Sequence, residues 1–557
     1  MSWHPKRRDV LLILTCLVVV GLFLQLDFSG SSHSRSSSIF KIGGLSRRPA
    51  FEKGGQRVNY APTRNTVSQP KLKWGDRGAP HTKIVSHAPG WTIFEDVYLF
   101  NGTWFIVTDN PSDVPLIRLM ASTGAEIWND EGSIKNREPT DKDMRIIFPS
   151  EAKKLWGSSA SRVSGTSFVC NDPPQFLDHY YHFAAEFFFG MWRTYSSLDP
   201  GINAAGETSL PAPSRLIFPH TAAGRWNDYA KMNSFILRAV FPALSYEYDG
   251  DFADRKDTAR AYIYDRVVFA DRAAAFRGPE FGKTWRTSSE AVTLGGSRYW
   301  WSPIRRNLIE FVGGKSGSAL NLQEFGVDLD QEYLDNDALQ EMGIEIESPS
   351  TKTPDRRSID AAVERRAIGA SDEAPQKESR KYAPSNPVIT YVSRQDWGRR
   401  MLKPEDHDTL VKELGELEKK YGWEVNIVAM DKLSRDEQIR LAARTTIMMG
   451  VHGNGLTHLL WMNNLNPRAT VMEFFIPGGF AEDYEYTARA LGIRHYGWWG
   501  DHSFTYPNIP PVEYPDGFQG NSIPLDGKAV AQLCEQRLVV DRVADKAKDK
   551  RTGEGSA

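Results

Sequence analysis

The sequence predicts an α/β protein built from two domains that are joined by a charged segment. The chain has 557 residues, too many for one small core. Short apolar runs alternate with helical stretches in residues 89–314 and again in residues 387–535, which is the pattern of α/β domains. Residues 315–386 between them are charged and poor in large apolar side chains, so we expect an insertion or linker there.

The N-terminal region predicts a membrane anchor followed by a stem. Residues 10–26 form an apolar run that spans roughly 26 Å as a helix, close to the thickness of a thin bilayer. Basic side chains in residues 1–9 favour a cytoplasmic tail, which places the bulk of the chain in the lumen. Residues 27–88 are rich in Ser, Gly, Arg and Pro and predict a flexible stem. The alternative is a cleaved signal peptide, but the run is long for one and lacks a clear small-residue end.

The first α/β region opens with a predicted β-hairpin. Two apolar strands flank Asn101-Gly102, a dipeptide that is favoured in tight hairpin turns. Asn101 also begins an Asn-Gly-Thr sequon, so it is a predicted glycosylation site in a luminal protein.

Residues 176–192 predict an apolar, strongly aromatic helix that carries one polar pair. His182 and Glu186 are four residues apart and therefore share a helix face. Such a pair can supply a general base and the group that orients it, and either residue could be the base. The alternative is a core helix with one satisfied polar pair.

The second α/β region alternates predicted strands and helices in an order that implies parallel crossover units. A helix at residues 407–421 follows the first strand, and Ser434-x-x-Glu437 is a capping box that opens another helix. Ligands bind beyond the carboxyl ends of parallel strands, which places the loop after Val451 at a predicted binding site.

That loop reads His452-Gly453-Asn454-Gly455 and leads into a predicted helix. Glycines allow the backbone to approach a ligand closely, and a helix start offers free N–H groups, so the loop suits a diphosphate. The alternative is a tight strand-to-helix turn whose glycines only satisfy geometry.

Two further candidates follow predicted strands of this region. Arg394 and Arg399 come soon after a strand that ends at Ser393, and arginine side chains pair well with phosphate oxygens. Glu473 lies near the end of another strand and could accept hydrogen bonds from a ribose. The alternatives are a solvated basic turn for the arginines and a carboxylate paired with a nearby base for Glu473.

The net charge, the cysteines and the Asp-x-Asp pairs bear on nucleic-acid binding, disulfide formation and metal binding. A net charge of −2 argues against a general nucleic-acid binder. Cys170 and Cys534 could form one disulfide or remain free. The motifs found do not require a metal, although Asp-x-Asp pairs can bind Mn²⁺. Such pairs occur at Asp141/Asp143, Asp249/Asp251, Asp328/Asp330 and Asp335/Asp337.

Together these segments resemble glycosyltransferase family 61. The matching segments are DHYYHFAAEFFFG, YVSRQDWGRRML, GVHGNGLTHLLWM and VMEFFIPGG, in family order over roughly residues 90–500. The resemblance implies a GT-B architecture, in which two Rossmann-like domains face a cleft and the C-terminal one binds most of the donor. Asn454 and His458 depart from the family's common HGAGLTN pattern.

The resemblance also implies an inverting transfer from a UDP-sugar, usually of xylose or N-acetylglucosamine, to a hydroxyl of a glycan or glycoprotein. We expect xylose as the donor sugar and His182, oriented by Glu186, as the base. The anchor and stem match a type II protein of the Golgi or ER membrane, and residues 536–557 read as a charged tail. The alternative function is a catalytically silent, carbohydrate-binding relative anchored in the Golgi.

Overall fold

A computed structural model describes residues 71–313, here the N-terminal region, and residues 387–539, here the C-terminal region. The predicted anchor at residues 10–26 and the predicted linker at residues 315–386 lie outside the described residues. Among the helices of residues 71–313 and 387–539, none has the length and apolar character needed to cross a membrane.

The strands of the N-terminal region form one sheet of mixed direction. These strands are β1 (Lys71–Lys73), β2 (Lys83–Ala88), β3 (Trp91–Phe100), β4 (Thr103–Val107), β5 (Met144–Ile147), β6 (Ser159–Cys170), β7 (Arg215–Ile217), β8 (Ser245–Glu247) and β9 (Tyr262–Ala270).

Half of this sheet is parallel and has the strand order of a Rossmann-like unit. Strands β8, β7, β6 and β9 are neighbours in that order, and all of their pairings are parallel. The chain order therefore reverses between β6 and β9. In open α/β sheets such a reversal creates a crevice at the carboxyl ends of the two strands, where ligands bind. Strands β2 to β5 extend the sheet through the antiparallel pairing of β3 with β9, and β1 pairs with β6.

The C-terminal region contains a second, mainly parallel sheet. Its strands are β10 (Val388–Val392), β11 (Glu424–Val428), β12 (Ile447–Val451), β13 (Thr470–Phe475), β14 (Arg494–Trp499) and β15 (His502–Phe504). The order is β11-β10-β12-β13-β14-β15, and only the edge strand β15 is antiparallel. The chain order reverses between β10 and β12, so a second crevice lies at the ends of these strands.

Helices cover both sheets. The α-helices are α1 (Ile117–Met120), α2 (Glu131–Asn136), α3 (Pro149–Trp156), α4 (Phe189–Ser196), α5 (Met232–Val240), α6 (Asp249–Asp257), α7 (Arg272–Ala275), α8 (Pro279–Thr284), α9 (Ser288–Val292), α10 (Ser302–Gly313), α11 (Pro404–Tyr421), α12 (Arg435–Arg444), α13 (Asp483–Ala490) and α14 (residues 527–539). A π-helix, His182–Phe188, runs into α4, and a 3-10 helix, Asn454–Trp461, follows β12.

The local predictions for the hairpin and the capped helix are confirmed. Strands β3 and β4 pair around Asn101-Gly102, and Asn101 adopts a left-handed φ of 51° at the exposed turn. Ser434 accepts a hydrogen bond from the backbone N–H of Glu437, whose carboxylate accepts one from the N–H of Ser434. This capping box opens α12 as the sequence indicated.

Two predicted boundaries need correction. Residues 71–88, assigned by composition to the flexible stem, contain β1 and β2, which pair with β6 and β3. Trp74 is buried there, so an apolar side chain anchors this segment to the sheet. At the other end, α14 continues past residue 535 and buries Leu538 in the core of the second sheet. The charged tail therefore begins later than predicted.

The N- and C-terminal regions share one hydrophobic cluster. Trp301, the residue before α10, stacks on Trp461 with ring centroids 5.8 Å apart, and its indole N–H donates to the carbonyl of Leu460 at 2.7 Å. Because aromatic side chains of this size bury a large apolar area, this contact fixes the two sheets against each other.

Candidate functional site

The first part of the site is the π-helix that follows β6. His182 and Glu186 lie on the same side of this helix, with His182 Nδ1 2.8 Å from the Glu186 carboxylate. A carboxylate only accepts hydrogen bonds, so Nδ1 donates and Nε2 carries the lone pair of the neutral ring. The His182 side chain is 30% exposed, whereas that of Glu186 is 3% exposed. The imidazole is therefore held from inside and accessible from outside, as a general base must be.

Arg272 holds the buried end of this pair. Its guanidinium lies 2.5 Å from Glu186 and 3.4 Å from Asp172, and it covers the Phe176 ring at 4.5 Å. Asp172 follows β6 and Arg272 follows β9, so the polar cluster sits at the crevice where the strand order reverses.

The electrostatics of the cluster assign different roles to its members. Burial alone would raise the pKa of Glu186, but Arg272, His182 and Arg286 together hold it below its usual range. Burial raises the pKa of the Asp172 carboxyl to about 6, in spite of the nearby Arg272. A buried carboxylate that is ionised and held by two guanidinium groups is a poor proton acceptor. Of the two possible bases, the geometry therefore favours His182, with Glu186 as the group that orients it.

The second part of the site lies at the ends of β12 and β13. His452 Nδ1 lies 2.5 Å from one oxygen of Glu473, and His495 Nε2 lies 2.9 Å from the other. Glu473 is completely buried, with 0% of its side chain exposed. Both of its oxygens pair with histidine rings, which corresponds to the alternative of a carboxylate paired with a nearby base rather than to a ribose contact. Glu473 instead fixes the His452 ring, whose Nε2 makes no hydrogen bond within the described residues.

The arginine cluster reaches the same loop from the end of β10. A Cβ atom at Gly453 would lie only 2.8 Å from Nη1 of Arg394, so the guanidinium packs directly on the loop backbone. Arg400 donates to the carbonyl of His452 at 3.3 Å and to Gln519 at 2.6 Å. Arg399 is exposed and makes no hydrogen bond within the described residues. The structure thus brings Arg394 and Arg400, but not Arg399, against the glycine loop.

Arg394 has no carboxylate partner within residues 71–313 and 387–539. Its Nε is buried without a hydrogen-bond partner among the described residues. Burial, followed by the charges of Arg400 and Arg399, lowers the pKa of Arg394 to about 10. Like charges held together and partly dehydrated favour the binding of an anion.

The rest of the loop is shaped by close packing. A Cβ atom at Gly455 would lie 2.7 Å from the side chain of Val392, so the turn can pass over β10 only with a glycine there. Asn454 accepts a hydrogen bond from the backbone N–H of Tyr181 at 3.2 Å. His458 is buried behind the loop, with Nδ1 3.1 Å from the carbonyl of Gly455, and burial lowers its pKa to about 4. Of the two departures from the family pattern, Asn454 therefore contacts the N-terminal region and His458 packs beneath the loop.

The two parts of the site meet through aromatic side chains. Tyr181, next to His182, lies edge-on to Tyr484 with centroids 5.1 Å apart, and Tyr484 lies 5.5 Å from the His452 ring. The Tyr181 hydroxyl donates to the carbonyl of Asp483 at 2.8 Å. The predicted base and the predicted phosphate loop, 270 positions apart in the sequence, are therefore parts of one site.

Other predicted features stay apart from this site. Cys170 and Cys534 are free and buried in different hydrophobic clusters. Within residues 71–313 and 387–539, no group of three or more His, Cys, Asp or Glu side chains is placed to hold a metal ion. Asp249 and Asp251 instead lie in the first turn of α6, where acidic side chains favour the helix start.

Several site residues were missed by the sequence analysis. Arg272 comes two residues after the end of β9, so the rule that ligands bind at the carboxyl ends of strands could have identified it. Arg286, Asp483 and Tyr484 carry no such signal, because the packing of the two regions brings them together. His495 carries none either, because it reaches Glu473 from the neighbouring strand β14.

Two Rossmann-like sheets whose crevices meet around charged side chains fit the α/β glycosyltransferases. The family model for Glycosyltransferase 61 matches residues 180–471, more than half of the chain. The chain therefore belongs to glycosyltransferase family 61. Membership supports glycosyltransferase activity, which implies a sugar donor and a glycan acceptor.

One curated relative extends this result. Over 132 residues the chain is 33% identical to an EGF domain-specific O-linked N-acetylglucosamine transferase of Drosophila melanogaster. The match covers 23% of this chain and 22% of that protein. The similarity thus spans only about a fifth of the relative's length.

Proposed function

We propose that the protein is an inverting glycosyltransferase that moves a sugar from a UDP-sugar to a hydroxyl of a glycan or glycoprotein. The observation that carries the proposal is the contact of Arg394 and Arg400 with the glycine loop, whose Asn454 accepts the backbone N–H of Tyr181, the residue before His182. A diphosphate needs cationic and N–H donors, and an attacking hydroxyl needs a base. In this proposal the two regions form the halves of a GT-B fold, and the donor and acceptor meet between them.

The proposed reaction is a single displacement at the anomeric carbon. His182 Nε2 takes the proton of the acceptor hydroxyl while the hydroxyl oxygen forms a bond to the anomeric carbon of the donor sugar. The bond from that carbon to the diphosphate oxygen breaks, and its electron pair leaves with UDP. Arg394, Arg400 and the N–H groups of residues 453–455 stabilise the negative charge of the leaving group. When both of its ring nitrogens carry a proton, His452 donates from Nδ1 to Glu473 and from Nε2 to the diphosphate.

The donor sugar is proposed from family likeness. Xylose is the sugar expected from the sequence, whereas the name of the Drosophila relative favours N-acetylglucosamine. We propose UDP-xylose and UDP-N-acetylglucosamine as the two donors to test first, and His182 and the arginines would serve the same role with either. No metal is part of the proposed mechanism, because the arginines supply the counter-charge.

The proposed location is the lumen of the Golgi or ER, with the chain anchored as a type II protein by residues 10–26. The exposed hairpin at Asn101 supports glycan attachment in that compartment.

The test is sugar transfer by the purified luminal part, residues 27–557, with a panel of UDP-sugars and simple mannosides, with and without Mn²⁺. We expect product with at least one donor and at least a hundredfold lower rate, to order of magnitude, for His182→Ala and for Arg394→Ala. Near wild-type transfer by both variants would refute the assigned roles. Binding of UDP without any product would favour the silent carbohydrate-binding relative instead.

A further inference from the structure

Arg286 joins the two halves of the site through two carboxylates. Its Nη1 lies 3.5 Å from Glu186 of the π-helix and also makes an ion pair with Asp483, the first residue of α13. The Arg286 side chain is only 10% exposed. Glu186 belongs to the N-terminal region and Asp483 to the C-terminal region, so one buried guanidinium connects them.

The start of the π-helix also contacts the C-terminal region, through Tyr181. Tyr181 donates its backbone N–H to Asn454 of the glycine loop and its hydroxyl to the carbonyl of Asp483. His182 lies between these contacts and the Glu186 contact. Tyr181, which precedes His182, and Glu186, which binds its imidazole, are therefore both connected to the C-terminal region.

Charge compensation alone does not explain Arg286. Glu186 already has Arg272 at 2.5 Å, and Arg272 is almost completely buried. A second buried guanidinium must be dehydrated, which is unfavourable unless it gains contacts of its own. Burial alone would lower the pKa of Arg286, but the Asp483 carboxylate reverses this and holds it above its usual range. The contact that favours burial of Arg286 is thus the one to the C-terminal region.

The backbone conformation of Trp285 supports a fixed position for the Arg286 side chain. Trp285 adopts a left-handed φ of 54° and leaves 63% of its side chain exposed. A bulky residue in this conformation is unfavourable and persists only where the surrounding structure imposes it. The turn at Trp285 directs the next side chain inward, to the carboxylates of Glu186 and Asp483.

We propose that Arg286, together with Asp483, is a positioning residue that fixes the His182 imidazole relative to the diphosphate loop. This inference rests on the proposed function, in which His182 is the base. Arg286 touches neither the reacting atoms nor the loop. It acts through Glu186, which orients the ring, and through α13, which carries Tyr484 against His452.

The test combines a conservative variant with a matched control. Arg286→Lys keeps the charge but can reach only one carboxylate, so the bridge is lost. We expect kcat to fall by about 100-fold, because a base misplaced by about 1 Å loses rate on that scale, while the KM for the donor changes little. Asp483→Asn removes the partner charge from the other side and should have the same effect, which guards against a folding defect of the first variant.

Arg305→Lys is the control, since Arg305 is also buried and also joins the two regions, by donating to the carbonyls of Trp461 and Ala443. We expect Arg305→Lys to lower the Tm and leave kcat unchanged. If Arg286→Lys behaves in the same way, its role is only structural and the inference is overturned.

A double-mutant cycle with His182→Ala separates positioning from any other effect on rate. If Arg286 acts through His182, Arg286→Lys slows the wild type but leaves the residual rate of His182→Ala unchanged. An equal loss in both backgrounds overturns the inference while leaving the proposed function intact. A wild-type protein that transfers no sugar, or a His182→Ala variant at full activity, refutes the proposed function or the assigned base, and the inference falls with it.

Discussion

Replacing Arg394 with methionine should make the protein slightly more stable while removing most of its activity. Arg394 lies half-buried against Gly453, beside Arg399 and Arg400. Methionine keeps most of the apolar stem that covers the loop and removes only the charge. The substitution therefore tests whether the site stores unfavourable charge in order to bind an anion.

The size of the effect follows from the lowered pKa of Arg394, which burial and the neighbouring charges bring to about 10. At about 1.4 kcal/mol per pKa unit, and after a large discount for solvent screening of a partly exposed group, removing the charge relieves on the order of 1 kcal/mol. The activity should change in the opposite direction. Loss of one donor to a leaving group typically lowers kcat by roughly 100- to 1000-fold.

Thermal unfolding with and without UDP provides the assay. For the wild type, UDP at about 100 times its Kd should add about 2.7 kcal/mol to the free energy of unfolding. The Arg394→Met variant should start slightly higher and gain little at the same UDP concentration. Arg399→Met is the matched control, because Arg399 is exposed and outside the loop contact, and it should retain most of the UDP effect.

Two results would refute this reasoning. A loss of more than about 1 kcal/mol in the absence of UDP would mean that the guanidinium stabilises the empty site. A full UDP-induced gain in Arg394→Met would mean that the diphosphate binds elsewhere.

Three further predictions address the base, the pH dependence and the compartment. Glu186→Gln should lower kcat by about 100-fold and the free energy of unfolding by about 3 kcal/mol, measured by transfer assay and denaturant titration, because the buried arginines lose a carboxylate. Burial, followed by the charge of Glu485, raises the pKa of Glu482 to about 7. Its protonated form is therefore favoured in the folded state, and the associated stability is lost as pH rises from about 4.5 through 7. Glu482→Gln should flatten the fall of Tm across that window, whereas the exposed Glu418→Gln should follow the wild type. Asn101→Gln should abolish a mass shift on treatment with peptide N-glycosidase after expression in a secretory host; an unchanged shift would place the glycan elsewhere.

Much of the C-terminal sheet could be predicted because its strands and helices carry local signals. The capping box at Ser434, the apolar run that ends at Val451 and the glycines after it each determine a short-range structure. The helix predicted for residues 176–192 differs more from the structure. Apolar spacing indicated a helix across His182 and Glu186, but could not show that the first turns are a π-helix, because tertiary contacts decide between helix types.

The role of Glu473 likewise could not be predicted from local sequence. Glu473 has the position of a ribose ligand when only its strand is known. Its role changed because His452 and His495, from different strands, occupy both of its oxygens. No local pattern could reveal that pairing.

The sequence by itself determined the α/β class, the family and the loops that reach the carboxyl ends of the strands, because periodicity, caps and glycine turns act over a few residues. Only the tertiary structure decided which charges share a site. Glu186 became a buried orienting group once Arg272 and Arg286 reached it, and Asp483 became part of the site once α13 packed beside the π-helix. The physical reason is that burial and charge neighbours, which fix the protonation and role of a side chain, depend on residues that are distant in sequence and adjacent only in the folded chain.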